Sequence, residues 1–179
     1  QHSAADLSDL LDAGTDRFLH GRLGRNLDSA LAERVHAAGA FIVPNLGLGE
    51  LRRQAIGDDE FLRESLPVSV ANRLSSQAGA RFESVPLNMQ RETEMAERFK
   101  ALIDAEVDIL LGTDSGAVPD HFFGYTGHRE LEIFVRLGME PMQALISATS
   151  LPAGRLGLLN TGVIGPGYRA DLLVLDENP

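Results

Sequence analysis

The sequence predicts an α/β fold with parallel strands. Three observations predict it. Helical and strand-like segments alternate along the first part of the chain, each strand-like run is short and apolar, and two of these runs lead into a polar residue set among glycines.

Residues 4–13 place Leu7, Leu10 and Leu11 at helical spacing, and Gly14 stands where a C-cap glycine belongs. The run Thr15 to Leu19 ends in His20-Gly21, and its length and flanks suit a buried strand. Asn26 or Asp28 could cap the next helix, Leu27 to Ala38, whose Leu27, Leu31, Val35 and Ala38 form one stripe before Gly39. Ala40 to Val43 is a second strand, closed by Pro44 and Asn45. Residues 46–87 are less regular, with helical pieces expected at 59–66 and 68–78, broken by Pro67 and ended by Gly79. A plain βα connection takes about 2 to 6 residues, so this stretch reads equally as a lid over a site or as a structural decoration.

A strong helix follows over 88–105, with Met89, Met95, Phe99, Leu102 and Ile103 mostly on one face. The third strand, Val107 to Leu111, runs into Gly112-Thr113-Asp114-Ser115-Gly116 and then an aromatic loop, His121-Phe122-Phe123-Gly124-Tyr125. Helices are expected at 127–137 and 141–149, with Pro141 at a first-turn position, and a last helical turn at about 152–156. The closing segment changes character: Gly165-Pro166-Gly167 makes a turn, and Asp171 to Leu175 reads as a strand of a different sheet. No internal repeat is present.

Composition narrows the function classes. The chain has 179 residues, 44% hydrophobic and 23% charged, enough for a domain with a real core. No apolar run approaches the roughly 18 residues of a membrane span, and no signal peptide is visible, so a cytoplasmic location is the default expectation. The chain opens on Gln1-His2-Ser3, which reads as a cut rather than a start. A net charge of −10 with dispersed basic residues leaves no footprint for nucleic acid and reads as solubility. Without cysteine there is no disulfide, no thiolate ligand and no thiol nucleophile, so any metal must be held by His, Asp or Glu, a donor set that suits zinc or another divalent ion.

Asp114 is the strongest single candidate for chemistry. It lies just past an apolar strand, where parallel α/β folds place their sites, and Gly112 and Gly116 leave room for a ligand. An Asx turn or a helix cap is the plainer reading. His20 holds the same address on another strand, and the pair strengthens both. His2 precedes a helix at a similar address, although its strand is missing from the chain. His36 falls in a surface helix and is expected to be solvated. His121 and His128 flank the aromatic loop; for His128 the rivals are helix capping with Glu130 nearby and substrate contact. No Ser-His-Asp pattern stands out, and no helix follows Gly165-Pro166-Gly167 to make it a phosphate loop.

GTDSG after an apolar strand, then HRELEIFVRLGMEPMQALISATS, then GVIGPGYRADLLVLDENP, together resemble the C-terminal part of an amidohydrolase of the imidazolonepropionase-like and prolidase-like kind. The earlier DAGTDRFLHG and AGAFIVPNL are similar to that family's sixth and seventh barrel units. The resemblance covers almost the whole chain and is weakest over 46–90. It implies the C-terminal half of a (β/α)8 TIM-type barrel over residues 1–158, and the start of a small composite β-sandwich over 159–179.

It also implies a divalent metal site, one ion or two with zinc the first choice. In the family the ligands are an HxH pair on strand one, a lysine on strand four, histidines on strands five and six, and an aspartate on strand eight. By this resemblance His20 is the strand-six ligand, and Asp114 is the strand-eight aspartate that touches metal and shuttles a proton. The strand-five ligand is either His2 or a residue before position 1. Asn45, Tyr125 and His128 are the candidates for substrate contact. The HxH pair and the lysine are absent from this chain, and Leu19 stands where many relatives carry a glutamate.

The implied activity is metal-dependent hydrolysis of a C–N bond in a cyclic amide or a peptide-like amide. The implied partner is a small-molecule amide or dipeptide-like substrate, with no nucleic acid and no membrane. Two rivals stand beside this reading. One is a non-catalytic half-barrel that pairs with a complementary N-terminal half or with itself as a homo-oligomer. The other is a metal-free binding module on the same scaffold.

Overall fold

A computed structural model describes residues 4–20, 27–50, 60–72, 89–117 and 121–177. Helix α1 spans Ala4–Asp12 and strand β1 Arg17–Leu19; α2 follows at Ser29–Ala37 and β2 at Phe41–Val43. After β2 come a short helix α3 at Gly47–Glu50, α4 at Glu60–Ser65 and α5 at 68–72. Then α6 spans Met89–Asp104, β3 Asp108–Ile109, α7 Tyr125–Arg136, α8 Pro141–Ala148 and α9 Ser150–Arg155.

The three strands form one parallel sheet in the order β1-β2-β3. Register pairs Phe18 with Ile42 and Ile42 with Ile109. Residues in register in a parallel sheet share a face, so these three side chains make one row across it. All three are buried in the main hydrophobic cluster, which α1, α2, α6, α7 and α8 complete with Leu7, Val35, Leu102, Phe134 and Ala144 among others. Phe99 of α6 meets Phe134 of α7 with ring centroids 5.2 Å apart and planes tilted by 39°. Each such buried aromatic contributes about 1.5 to 3 kcal/mol over an exposed one.

Of the two candidate caps, the α2 N-cap is Asp28, whose Oδ1 accepts the Leu31 N–H at 2.9 Å. Arg155 of α9 pairs with Asp108 on β3 and donates to the Gly39 carbonyl at 3.1 Å, tying the last helix to the sheet.

The structure corrects several expectations. β1 is not a fully buried strand: it lies at the sheet edge among the described residues, so only Phe18 is covered and Leu19 is 62% exposed. Residues 171–175 form no strand, because a strand needs a paired neighbour and no described segment supplies one. The helix expected from 127 begins two residues earlier, at Tyr125, so neither His128 nor Glu130 caps it. α3 was not expected. The helix expected over 68–78 is present over 68–72, and its remainder, like Gly21 and Asn26, lies outside the described residues.

Candidate metal and hydrolase site

The C-terminal ends of the three strands carry His20, Asn45 and Asp114, with φ of 56°, 52° and 54°. Among the described residues only five non-glycine positions have positive φ, and three of them are these strand exits. His, Asn and Asp are the side chains most tolerant of this conformation, and such local strain tends to gather where function needs a particular direction. Gly112 lets the Asp114 segment approach β2, since a side chain there would run into Val43.

The turns at two of these exits bring the His20 and Asp114 side chains together. His20 Nε2 lies 2.9 Å from Asp114 Oδ2, and both side chains remain partly open to solvent, at 49% and 37% exposed. Two donor atoms sharing one divalent ion at bond lengths near 2.1 Å stand about 3.0 to 3.4 Å apart. The imidazole nitrogen and the carboxylate oxygen are close to that spacing, so the pair fits two neighbouring ligand positions of a zinc-type ion. No group of three or more metal-ligating side chains occurs among the described residues, so the pair is a partial set. His2 lies outside the described residues.

Asp114 is held by its backbone as well. Its carbonyl accepts from Ala117 N–H at 3.2 Å and from His121 Nδ1 at 3.2 Å, while Gly116 N–H donates to the His121 carbonyl at 2.9 Å. Thr113 Oγ1 lies 2.6 Å from Ser115 Oγ, Ser115 bonds to Thr126, and Thr126 Oγ1 donates to the Phe122 carbonyl at 2.9 Å. With Thr126 committed as a donor to Phe122, Ser115 donates to Thr126 and Thr113 donates to Ser115. This run of hydroxyls fastens the Asp114 loop to the first turn of α7.

The other sequence candidates divide. Asn45 has a buried Oδ1 without a hydrogen-bond partner among the described residues. His128 is exposed on α7 and meets the Phe61 ring edge-on at 5.0 Å. Tyr125 is buried at 3% exposure and stacks on Phe61 at 5.9 Å, so it forms wall beneath α4 rather than open mouth. Phe61 belongs to α4, which therefore packs over α7. His36 is exposed as expected, but it is also tied, its Nδ1 donating to the Glu106 carbonyl at 2.9 Å.

Two residues were passed over as site parts. His121 is buried, and with Nδ1 engaged its Nε2 has no partner among the described residues. Glu130 of α7 is fully buried, and its Oε1 and Oε2 accept the N–H groups of Leu46 and Gly47 at 2.7 Å each. Burial pushes its carboxyl up from 4.5 to about 7, and the Gly47 and Leu46 donors hold it below where burial alone would take it. A signal was present: Glu130 falls on the apolar stripe of Ile133, Phe134 and Leu137.

Comparison with known proteins gives a consistent picture. A profile described as the amidohydrolase family matches residues 2–179. An adenine deaminase from Methanothrix thermoacetophila is 40% identical over 55 residues, which is 28% of this chain and 10% of that protein. An imidazolonepropionase from Deinococcus deserti is 36% identical over 80 residues, 44% of this chain and 20% of that protein. A crystal structure of a Xaa-Pro dipeptidase with bound methionine in the active site superposes with a TM-score of 0.61 at 24% identity, over 94% of this chain and 36% of that one, and shares its fold. The chain thus spans 20% or less of these two curated relatives and 36% of that structure.

Proposed function

The chain belongs to the amidohydrolase family, and from that premise we propose that the whole protein hydrolyses a C–N bond, in a cyclic amide or a peptide-like amide, with a metal-activated water. The observation that carries this reading is the convergence of His20 Nε2 and Asp114 Oδ2 at 2.9 Å on the strand exits of a parallel sheet. The relatives support the bond class: one is named an imidazolonepropionase, and a protein of the same fold a Xaa-Pro dipeptidase.

His20 and Asp114 would hold a divalent ion, with zinc the first choice for this donor pair. The remaining ligands would come from His2 or a residue before it, and from the part of the barrel outside this chain. When bound, the ion supplies polarisation of the scissile carbonyl and acidification of water to a pKa of about 7. Asp114 takes the proton from the attacking water as the new C–O bond forms. It returns that proton to the leaving nitrogen as the C–N bond breaks, so a single carboxylate serves as base and then acid. Its partial exposure keeps it within reach of substrate. His128 and Asn45 are the proposed substrate contacts, with Tyr125 bracing the wall under Phe61.

The fold reading is of the same kind. Residues 1–158 serve as the C-terminal half of a (β/α)8 barrel and 159–179 as the start of the sandwich segment. The edge position of β1 and the exposed run Leu172 to Leu175 support further strands pairing there in the whole protein. No helix among the described residues is long and apolar enough to cross a membrane.

The test is metal dependence. Dialysis of the whole protein against a chelator is expected to abolish hydrolysis across a panel of cyclic amides and Xaa-Pro dipeptides, and added zinc to restore it. Turnover that survives complete removal of metal would overturn the proposal.

A further inference from the structure

Glu130 is a carboxylate in the core that faces no cation among the described residues. It sits on α7 at 0% exposure, and what it meets is main chain: two successive N–H groups, of Leu46 and Gly47, one on each oxygen at 2.7 Å. Successive N–H groups that converge on one anion form a concave backbone cradle. Here the cradle is filled from within the chain. The residue just before it is Asn45, held at φ 52° with its Oδ1 buried, and a Cβ on Gly112 would stand 3.5 Å from that oxygen. The β2 exit is therefore fixed on one side by α7 and pressed on the other against the segment that leads into Asp114.

Steric fit points the same way. A Cβ at Gly47 would stand 2.9 Å from Glu130 Oε2 and 3.9 Å from His121 Nε2. Glycine at 47 is what lets the carboxylate reach the main chain. His121 in turn bonds the Asp114 carbonyl. Glu130 thus stands behind the Asn45 exit, and the Gly47 it holds lies beside the His121 that bonds the Asp114 carbonyl.

We infer that Glu130 is a positioning residue: its carboxylate, through the Leu46 and Gly47 amides, sets the direction of Asn45 at the mouth of the site. The placement of a site at this mouth rests on the function proposed above, whereas the hold on the loop does not. An ordinary core position would take an apolar side chain here, and a merely solvating role would not need both oxygens on consecutive amides. The α7 helix also presents His128 and Tyr125, so one element carries the loop, one of the proposed contacts and the wall residue beside it.

The test is hydrogen exchange by mass spectrometry on the full-length protein, with Glu130→Gln, Glu130→Ala and Gly47→Ala variants. Global stability is followed by thermal unfolding and bound Co2+ by titration. Glu130→Ala is expected to raise exchange at the Leu46 and Gly47 amides about tenfold or more, as expected for loss of a buried hydrogen bond to each. Glu130→Gln is expected to fall between, because its one carbonyl oxygen still accepts one N–H. Gly47→Ala is expected to resemble Glu130→Ala, since the methyl forces the carboxylate away. If Glu130→Ala does not fold, the Gln and Gly47 variants decide. Unchanged exchange at 46–47, or a rise spread evenly over all helices, would overturn the inference. Co2+ titration separates the two readings: a wild-type protein that binds no Co2+ sinks the proposed metal site, and the exchange result still decides the role of Glu130.

Discussion

Replacement of Asp114 by asparagine is expected to lower turnover of the whole protein by about two to four orders of magnitude with the fold retained. The substitution keeps the shape of the side chain and removes its charge and its capacity to take a proton. Little else should change. Asn tolerates the φ of 54° as well as Asp does. The contacts that fix the loop run through the Asp114 carbonyl, to Ala117 and His121, and through the hydroxyl run of Thr113, Ser115 and Thr126. None of these uses the carboxylate. The side chain is partly open, so weakening its contact with His20 should cost the fold little. Turnover measured on a sensitive amide substrate, with circular dichroism as the control for folding, checks this. Retained turnover would remove Asp114 from its assigned role.

Glu130 should leave a signature on stability. Its folded pKa is raised from 4.5 to about 7, chiefly by burial. The folded state therefore holds a proton on this group over a pH range in which the unfolded state has released it. A carboxyl raised in this way contributes stability that is fully present below about pH 4.5 and fades as pH rises through about 7. Between pH 5 and pH 8 the wild-type protein is expected to lose on the order of 2 to 3 kcal/mol relative to a Glu130→Gln variant, which has no proton to release. Urea unfolding of both proteins at the two pH values measures it. The opposite trend, with wild type gaining on the variant as pH rises, would mean that the Leu46 and Gly47 amides outweigh the cost of burying the charge.

The sequence is most readable where one residue decides a local structure. Asp28 caps α2 by its side-chain oxygen, and Gly39 follows the helix with φ of 63°. His20 and Asp114 were legible together because each follows a short apolar run, and parallel strands bring such exits to the same end. Their distance was not legible, since it depends on register and on left-handed turns at both residues. In the sequence Glu130 stands out only as a neighbour of His128, although its place on the Ile133, Phe134 and Leu137 stripe predicts the core. Its partners, Leu46 and Gly47, lie more than 80 residues away, and no local pattern marks a backbone amide as a ligand. Residues 171–175 carry a strand-like apolar run, but pairing depends on a neighbour that no described segment provides.

The central claim is that His20 and Asp114 are neighbouring ligands of one divalent ion. Metal content of the full-length protein, compared with a His20→Ala/Asp114→Ala double variant by elemental mass spectrometry, tests it most directly. At least one zinc-type ion per chain in the wild type, lost from a still-folded double variant, is the predicted result. A wild type without metal, or a double variant that keeps all of it, would contradict the account.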